Sequence, residues 1–183
     1  MVDVNQEPSV IVWWQKRRNA MRYMKEEKLI GFLRNLKKNL IAYEDKHGDE
    51  VDLYYDDSWV RYGSKIANLQ SMVFACEEPE TAFETTDCSL DEFCDDPYVD
   101  VYISCEGNVY EYVYGYSAYG GDARNKDLYD AFVDAADNNE LTMDFCGGAF
   151  SFQSKESWDK QNEDEKMERE RMDEEFRRWQ EEI

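Results

Sequence analysis

The sequence predicts an α+β fold: an N-terminal helical region, antiparallel β-hairpins with an intervening helix, and a long C-terminal amphipathic helix. Three observations carry this. Leu29, Leu33, Leu36, Leu40 and Tyr43 recur at spacings of four and three, the period of one helical face. Val99, Val101, Ile103 and Cys105 alternate with Asp100, Tyr102 and Ser104, the period of a strand. Ser154 to Glu182 contains no Gly or Pro and is rich in strong helix formers.

Taken in order, Pro8 suits the first turn of a helix, where its missing N–H would have no partner. Val10, Trp14, Arg17, Met21 and Met24 keep helical spacing on a face different from that of the leucines. This predicts two helices meeting near Lys25, or one helix that turns its apolar surface. Gly48 closes the region as a C-terminal cap. Val51, Leu53 and Tyr55 alternate, Asp56, Asp57 and Ser58 offer a turn, and WVRYG resumes an extended pattern, so residues 50–62 read as a hairpin. Ile66, Leu69, Val73 and Cys76, with Ser64 as N-cap, predict a short helix ending before Pro79. Residues 77–97 read as an acidic loop with one helical turn through SLDEFC.

The strand from Val99 is followed by the turn EGN and by Val109, Glu111 and Val113 alternating with Tyr110, Tyr112, Tyr114 and Tyr116. This predicts a second hairpin with tyrosines about 6–7 Å apart along one face, either packed under a helix or open to a partner. Asp122 or Asn125 caps a helix with Leu128, Phe132, Val133 and Ala136 inward, ending at Asn138 and Asn139. LTMDFC and AFSFQ form a third hairpin, with Gly147 and Gly148 in a turn that needs positive φ. In the last helix Met172, Phe176, Trp179 and Ile183 fall four, three and four apart. That stripe is suited to docking on the body, to self-association or to a partner's groove.

Charge divides the chain into three. Residues 1–48, a basic helical region, carry ten Lys and Arg against six acids; residues 49–152, an acidic α+β core, carry four against twenty-four; residues 153–183, a charged helix, carry seven against twelve. The net charge is −21, and it belongs to the middle rather than to a tail. Between Lys65 and Arg124 lie fifty-eight residues without Lys, Arg or His, among them thirteen acids. The acids are densest from Glu77 to Asp100, ten of twenty-four positions. A folded chain gives up stability to keep such a field unrelieved, which makes it the main functional clue. With 42% hydrophobic and 15% aromatic residues, the chain is too apolar for a disordered acidic tail. The bases of the first region read as a solvated helix face that neutralises the acidic middle, since the overall charge would repel a phosphate backbone.

No Gly-rich phosphate loop, GxSxG, HExxH or calcium-loop pattern occurs, so no motif names a reaction. Five cysteines without a CxxC pair and the single His47 argue against a zinc site and for reduced structural thiols, with Cys105 and Cys146 packing in strands. His47 reads as an exposed residue at a helix end, where it suits the dipole. Glycoside hydrolysis needs two carboxylates, but forty-two acids single out no pair. Asp95, Asp96 and Asp100 would attract a cation without being built for one. A non-enzyme without cofactor or metal is expected. No apolar run approaches the roughly 20 residues that span a bilayer, and SVIVWW is too short for a signal peptide, so a soluble cytoplasmic protein is expected.

These features predict an inhibitor whose acidic surface occupies a basic nucleic-acid-binding groove of another protein, a nuclease above all. Duplex DNA presents one charge per roughly 1.7 Å of axis, and carboxylates held at similar intervals compete for the same groove. The candidate partner-binding residues are Glu77, Glu78, Glu80, Glu84, Asp87, Asp91, Glu92, Asp95, Asp96 and Asp100, followed by Asp127, Asp130, Asp134 and Asp137. Direct contact with nucleic acid or membrane is not expected; a homo-oligomer through the Met172, Phe176, Trp179 and Ile183 stripe is an option. In composition and size the chain resembles the acidic phage-encoded DNA mimics that block CRISPR nucleases or restriction enzymes, which implies an anti-CRISPR or anti-restriction role in the host cytoplasm. Two alternatives are an immunity or antitoxin protein that caps a nuclease toxin and a carboxylate-dependent hydrolase.

Overall fold

The computed structural model describes residues 24–48, 55, 58–63, 65–85, 96, 98–105, 108–146 and 148–181. Helix α1 (Glu26–His47) begins after Lys25, whose backbone is extended, with Glu26 and Glu27 in its first turn and Lys46 and His47 in its last, the arrangement its dipole favours. Leu29, Leu33, Leu36, Leu40 and Tyr43 are all buried, joined by Phe32. Gly48 closes the helix by donating its N–H to Glu44 O at 2.7 Å. The expected helix beginning at Pro8 lies outside the described residues, as do Val51 and Leu53.

Strands β1 (Ser58–Tyr62), β2 (Lys65–Asn68), β3 (Glu84–Thr85), β4 (Val101–Cys105), β5 (Leu141–Cys146) and β6 (Ala149–Ser154) form one antiparallel sheet in the order β3-β2-β1-β4-β6-β5. The α+β class read from the sequence is the class observed. The hairpin β5–β6 is in register, Cys146 opposite Ala149, and Gly148 supplies the positive φ of 89° that its two-residue turn needs.

Other expectations are corrected. WVRYG is strand β1, but among the described residues its partners are β2 and β4, not residues 50–55. Ile66 to Cys76 is not one helix: Lys65–Asn68 pairs as β2 through a tight turn at Gly63, φ 57°, and the helical backbone begins only at Leu69 and runs through Ser71–Ala75. Asn68, not Ser64, provides its side-chain oxygen, which accepts from Ser71 N at 3.0 Å. Ala67 pairs with Val60 and both are buried, so closing the sheet outweighs the helical spacing of Ile66 and Leu69.

The tyrosine ladder is not a strand. Residues Asn108–Tyr119 form helix α2. Val109 and Val113, four apart, are fully buried, and Tyr110 stacks on Tyr114, also four apart, with ring centroids 5.5 Å apart and planes within 6°. Tyr110 packs in turn on Phe150 at 5.5 Å. Alternating Val and Tyr satisfies both periods over eight residues, and the helical one buries both valines against the sheet.

Helix α3 (Ala123–Asp137) is capped by Asp122, whose carboxylate accepts from Asn125 N at 3.0 Å. Leu128, Ala131, Phe132, Ala135 and Ala136 face inward. Helices α1 and α3 lie together on one face of the sheet, Phe32 against Phe152 with centroids 4.7 Å apart and Phe132 against Phe150 at 4.9 Å. Asn39 Nδ2 donates to Ala131 O at 3.0 Å between them. A Cβ on Gly31 would come within 2.4 Å of Asn139 Oδ1, the tip of a side chain that would have to move aside.

Helix α4 (Lys155–Glu181) starts from a buried anchor. Asp100, buried just before β4, accepts from Ser154 N at 2.7 Å, Ser157 Oγ at 2.7 Å and Met24 N at 3.3 Å. The carboxylate therefore sits at a helix N-terminus, where the dipole favours negative charge, and it ties three distant parts of the chain together.

Replacing Asp100 by Ala leaves these donors buried without their acceptor, and is expected to cost about 3 kcal/mol of stability, read as a lowered midpoint of urea unfolding. Gly115 lies inside α2 with nothing within 4 Å of a built Cβ. Gly115→Ala is therefore expected to stabilise the protein by about 0.5–1 kcal/mol in the same measurement.

Candidate partner-binding surface

Four of the five Lys and Arg side chains of α1 reach other parts of the chain, while Lys38 is exposed. Arg34 pairs bidentately with Glu80 and lies 3.9 Å from Glu78. Lys37 donates to Val73 O at 2.9 Å and to Cys76 O, taking up carbonyls at the end of the helical turn Ser71–Ala75. Lys28 reaches Glu140 at 3.3 Å and Glu156 at 3.2 Å. Lys46 lies 2.5 Å from Asp127. Each of these side chains reaches an acid or a carbonyl well outside α1.

His47 is buried rather than exposed. Its Nε2 lies 2.7 Å from Asp127 Oδ2, and its ring packs on Tyr43 with centroids 5.1 Å apart. The residue that α1 ends on thus fastens α1 to the second turn of α3. Lys46 and then His47 hold the Asp127 carboxyl below its ordinary range. Burial pushes the Tyr43 phenol up to about 12.

The predicted acidic residues separate by what they touch. Glu77, Glu78 and Glu84 are exposed at the β3 edge of the sheet, around the short 3₁₀ turn Pro79–Ala82. Glu80 belongs to that turn and is held by Arg34, which lowers its carboxyl below the usual range. Asp96 is exposed, with Oδ1 accepting from Tyr98 N at 2.9 Å. Asp87, Asp91, Glu92 and Asp95 lie outside the described residues. Asp100 does not belong to the surface: its carboxylate is buried and bonded from three sides. It is set apart from the exposed Asp96, so the two do not form a shared cation site.

Along α3, Asp127 is committed to Lys46 and His47, and Asp130 pairs with Lys126 one turn earlier. Asp134 and Asp137 face solvent. The predicted row is present as helical spacing, but only its C-terminal half is free for a partner.

The two acidic groups are not one surface. Arg34 reaches Glu78 and Glu80 and Lys37 the neighbouring turn at Val73 and Cys76, whereas Asn39, Lys46 and His47 reach α3, so α1 runs between the groups. Among the described residues no cluster of three or more His, Cys, Asp and Glu is placed to hold a metal ion. Comparison of the chain with protein-family models, curated proteins and solved structures finds no match. Among the described residues no helix is long and apolar enough to cross a membrane.

Sequence reasoning missed the exposed aromatics of the described body. Trp59 and Phe74 are each 41% exposed and Tyr119 is 86% exposed. The signal for Trp59 was its place beside Val60 in a strand, since neighbours in a strand point to opposite faces. Of the predicted stripe, Met172, Phe176 and Trp179 are exposed on α4, not docked on the described body; Ile183 lies outside the described residues.

The Asp127 contact has a definite pH sign. Its folded pKa is depressed, so its contribution is complete above the ordinary carboxylate value of about 3.9 and is lost as pH falls through the lower folded value. Urea midpoints measured from pH 6 down to pH 2 are expected to fall less steeply for Asp127→Asn than for the native chain.

Proposed function

We propose that the protein is a non-enzymatic inhibitor that presents acidic surface to a basic nucleic-acid-binding groove on another protein, in the manner of a nucleic-acid mimic. The observation that carries this reading is the division of charge: α1 turns Lys28, Arg34, Lys37 and Lys46 onto acids and carbonyls of its own chain, while Glu77, Glu84, Asp134 and Asp137 stand in solvent. The negative field is thereby left facing outward, on rigid elements rather than on a tail. Exposed Trp59 and Phe74 add apolar contact of a kind enriched at protein interfaces. Competition with DNA or RNA follows from electrostatics, since a groove that gains by releasing the counterions of phosphates gains similarly from fixed carboxylates.

The test is affinity capture of host proteins on the immobilised chain at about 50 mM salt with elution near 0.5 M, where the screening length drops to a few ångströms. Known nucleic-acid-binding proteins are expected in the eluate, displaced equally well by duplex DNA. Reversal of Glu77, Glu84, Asp134 and Asp137 to Lys is expected to lower capture at least tenfold with unchanged unfolding. Capture indifferent to salt, or unaffected by the reversal, sinks this reading.

A further inference from the structure

The sheet has two edges, and they are built differently. At one, β3 is two residues long and its Glu84 is exposed, a short charged edge that offers little to another strand. At the other, β5 runs for six residues, and among the described residues β6 is its only strand neighbour.

The bonding of β6 shows which groups of β5 face outward. In an antiparallel pair, opposed residues alternate between those that exchange both hydrogen bonds and those that exchange none. Phe152 stands opposite Met143, yet its carbonyl accepts from Asp100 N at 3.0 Å. Ser154 stands opposite Leu141, and its N–H donates to Asp100 Oδ2 at 2.7 Å. Both residues of β6 thus turn their backbone groups away from β5, so Leu141, Met143 and, by alternation, Phe145 point theirs to the outer edge. The Phe145 N–H is taken up by Asp144 Oδ1 at 2.7 Å; among the described residues nothing takes up the outward N–H and C=O of Met143. The Met143 and Phe145 side chains are half-buried, and exposed Tyr114 packs edge-on against Phe145 with ring centroids 5.3 Å apart. An unpaired backbone edge is therefore bordered by apolar side chains.

A second β5 fits this edge in one register. Outward-pointing residues bond only to outward-pointing residues. A two-fold axis through Thr142 would set Asp144 opposite Glu140 of the second copy, and an axis through Asp144 would set the two aspartates face to face; like charges directly opposite are destabilising. An axis through Met143 pairs all three outward residues, Met143 with its own counterpart and Phe145 with Leu141, and sets Asp144 opposite Thr142.

We propose that the β5 edge joins a second copy of the chain, antiparallel about Met143, so that two six-stranded sheets meet edge to edge. The Phe145 N–H then donates to the second copy's Leu141 carbonyl, and the Asp144 carboxylate accepts instead from the second copy's Thr142 hydroxyl. The charge of −21 on each copy opposes the approach, so the pair tightens as salt rises. Capture by the acidic surface has the reverse salt dependence, and the proposal does not rest on that reading.

The test is sedimentation equilibrium of the full chain over a concentration series, at about 50 mM and about 0.5 M salt. A reversible monomer–dimer equilibrium, tighter at the higher salt, is expected. Met143→Pro removes a donor that β6 does not use, at an edge position where proline is tolerated, and is expected to weaken the dimer by about tenfold or more. Two substitutions at exposed Thr142 check the register while leaving the urea midpoint unchanged. Thr142→Glu, facing Asp144, is expected to weaken the dimer several-fold, and Thr142→Lys to tighten it. A mass that stays monomeric throughout overturns the proposal. So does a dimer indifferent to Met143→Pro, or one that the two Thr142 substitutions move in the same direction or leave unmoved. A dimer kept in Met143→Pro and lost in Phe176→Ala/Trp179→Ala overturns it as well, since the exposed stripe of α4 then makes the contact.

Discussion

A buried carboxylate decides how the chain is strung. Asp100 enters β4 in the middle of the sheet, beside β6, and accepts hydrogen bonds from Met24, Ser154 and Ser157. A carboxyl group in so dry a place is costly unless its oxygens are satisfied. Here they are, by two backbone N–H groups and a hydroxyl, with the N-terminus of α4 adding its dipole. The same atoms fix where α1 is entered, where β6 ends and where α4 begins. Moving any of the three segments would leave either the charge or its donors without partners.

The second constraint is charge separation. A chain of net charge −21 resists compaction, and the fold answers by aiming Lys28, Arg34, Lys37 and Lys46 of α1 at acids and carbonyls of other segments. Exposed ion pairs are worth little individually, yet Lys28 is half-buried and reaches two acids from separate elements. Lys37 bonds carbonyls instead of acids, so it closes the turn at Ser71–Ala75 without neutralising any surface carboxylate. The bases thus steady the body while a large share of the acids stay outside. This distribution is better suited to presenting negative charge than to cancelling it.

How far the sequence could be read depends on the number of residues that carried each signal. Five residues of α1 at spacings of four and three admit only one face, and all five are buried. Helix α3 and the β5–β6 hairpin were legible for the same reason, with a cap and a glycine turn to mark their ends. The Val109 to Tyr116 stretch was not, because its alternation fits a strand while Val109 and Val113, or Tyr110 and Tyr114, fit a helix equally well. Only the neighbours Phe145 and Phe150, far along the chain, decide it. Burial of polar groups was illegible altogether. Asp100 stands among nine other acids of its stretch with nothing local to distinguish it, and His47 becomes buried only because α3 brings Asp127 beside it.

The separation of the two acidic groups bears on what a partner would have to be. Helix α1 lies between them, and a helix with its side chains is about 10–12 Å across. At 0.1 M salt the Debye length is about 10 Å. Charges on the Glu77 to Glu84 edge and on the Asp134 to Asp137 face therefore act almost independently on a small ligand, and a single compact cation gains nothing from their sum. A basic groove longer than the width of α1 can meet both groups together, and the linkage between them is then supplied by the rigid core beneath. An extended basic channel gains from that geometry and an isolated cation does not, which is the geometric ground for the groove we propose as partner over a metal ion or a small basic molecule.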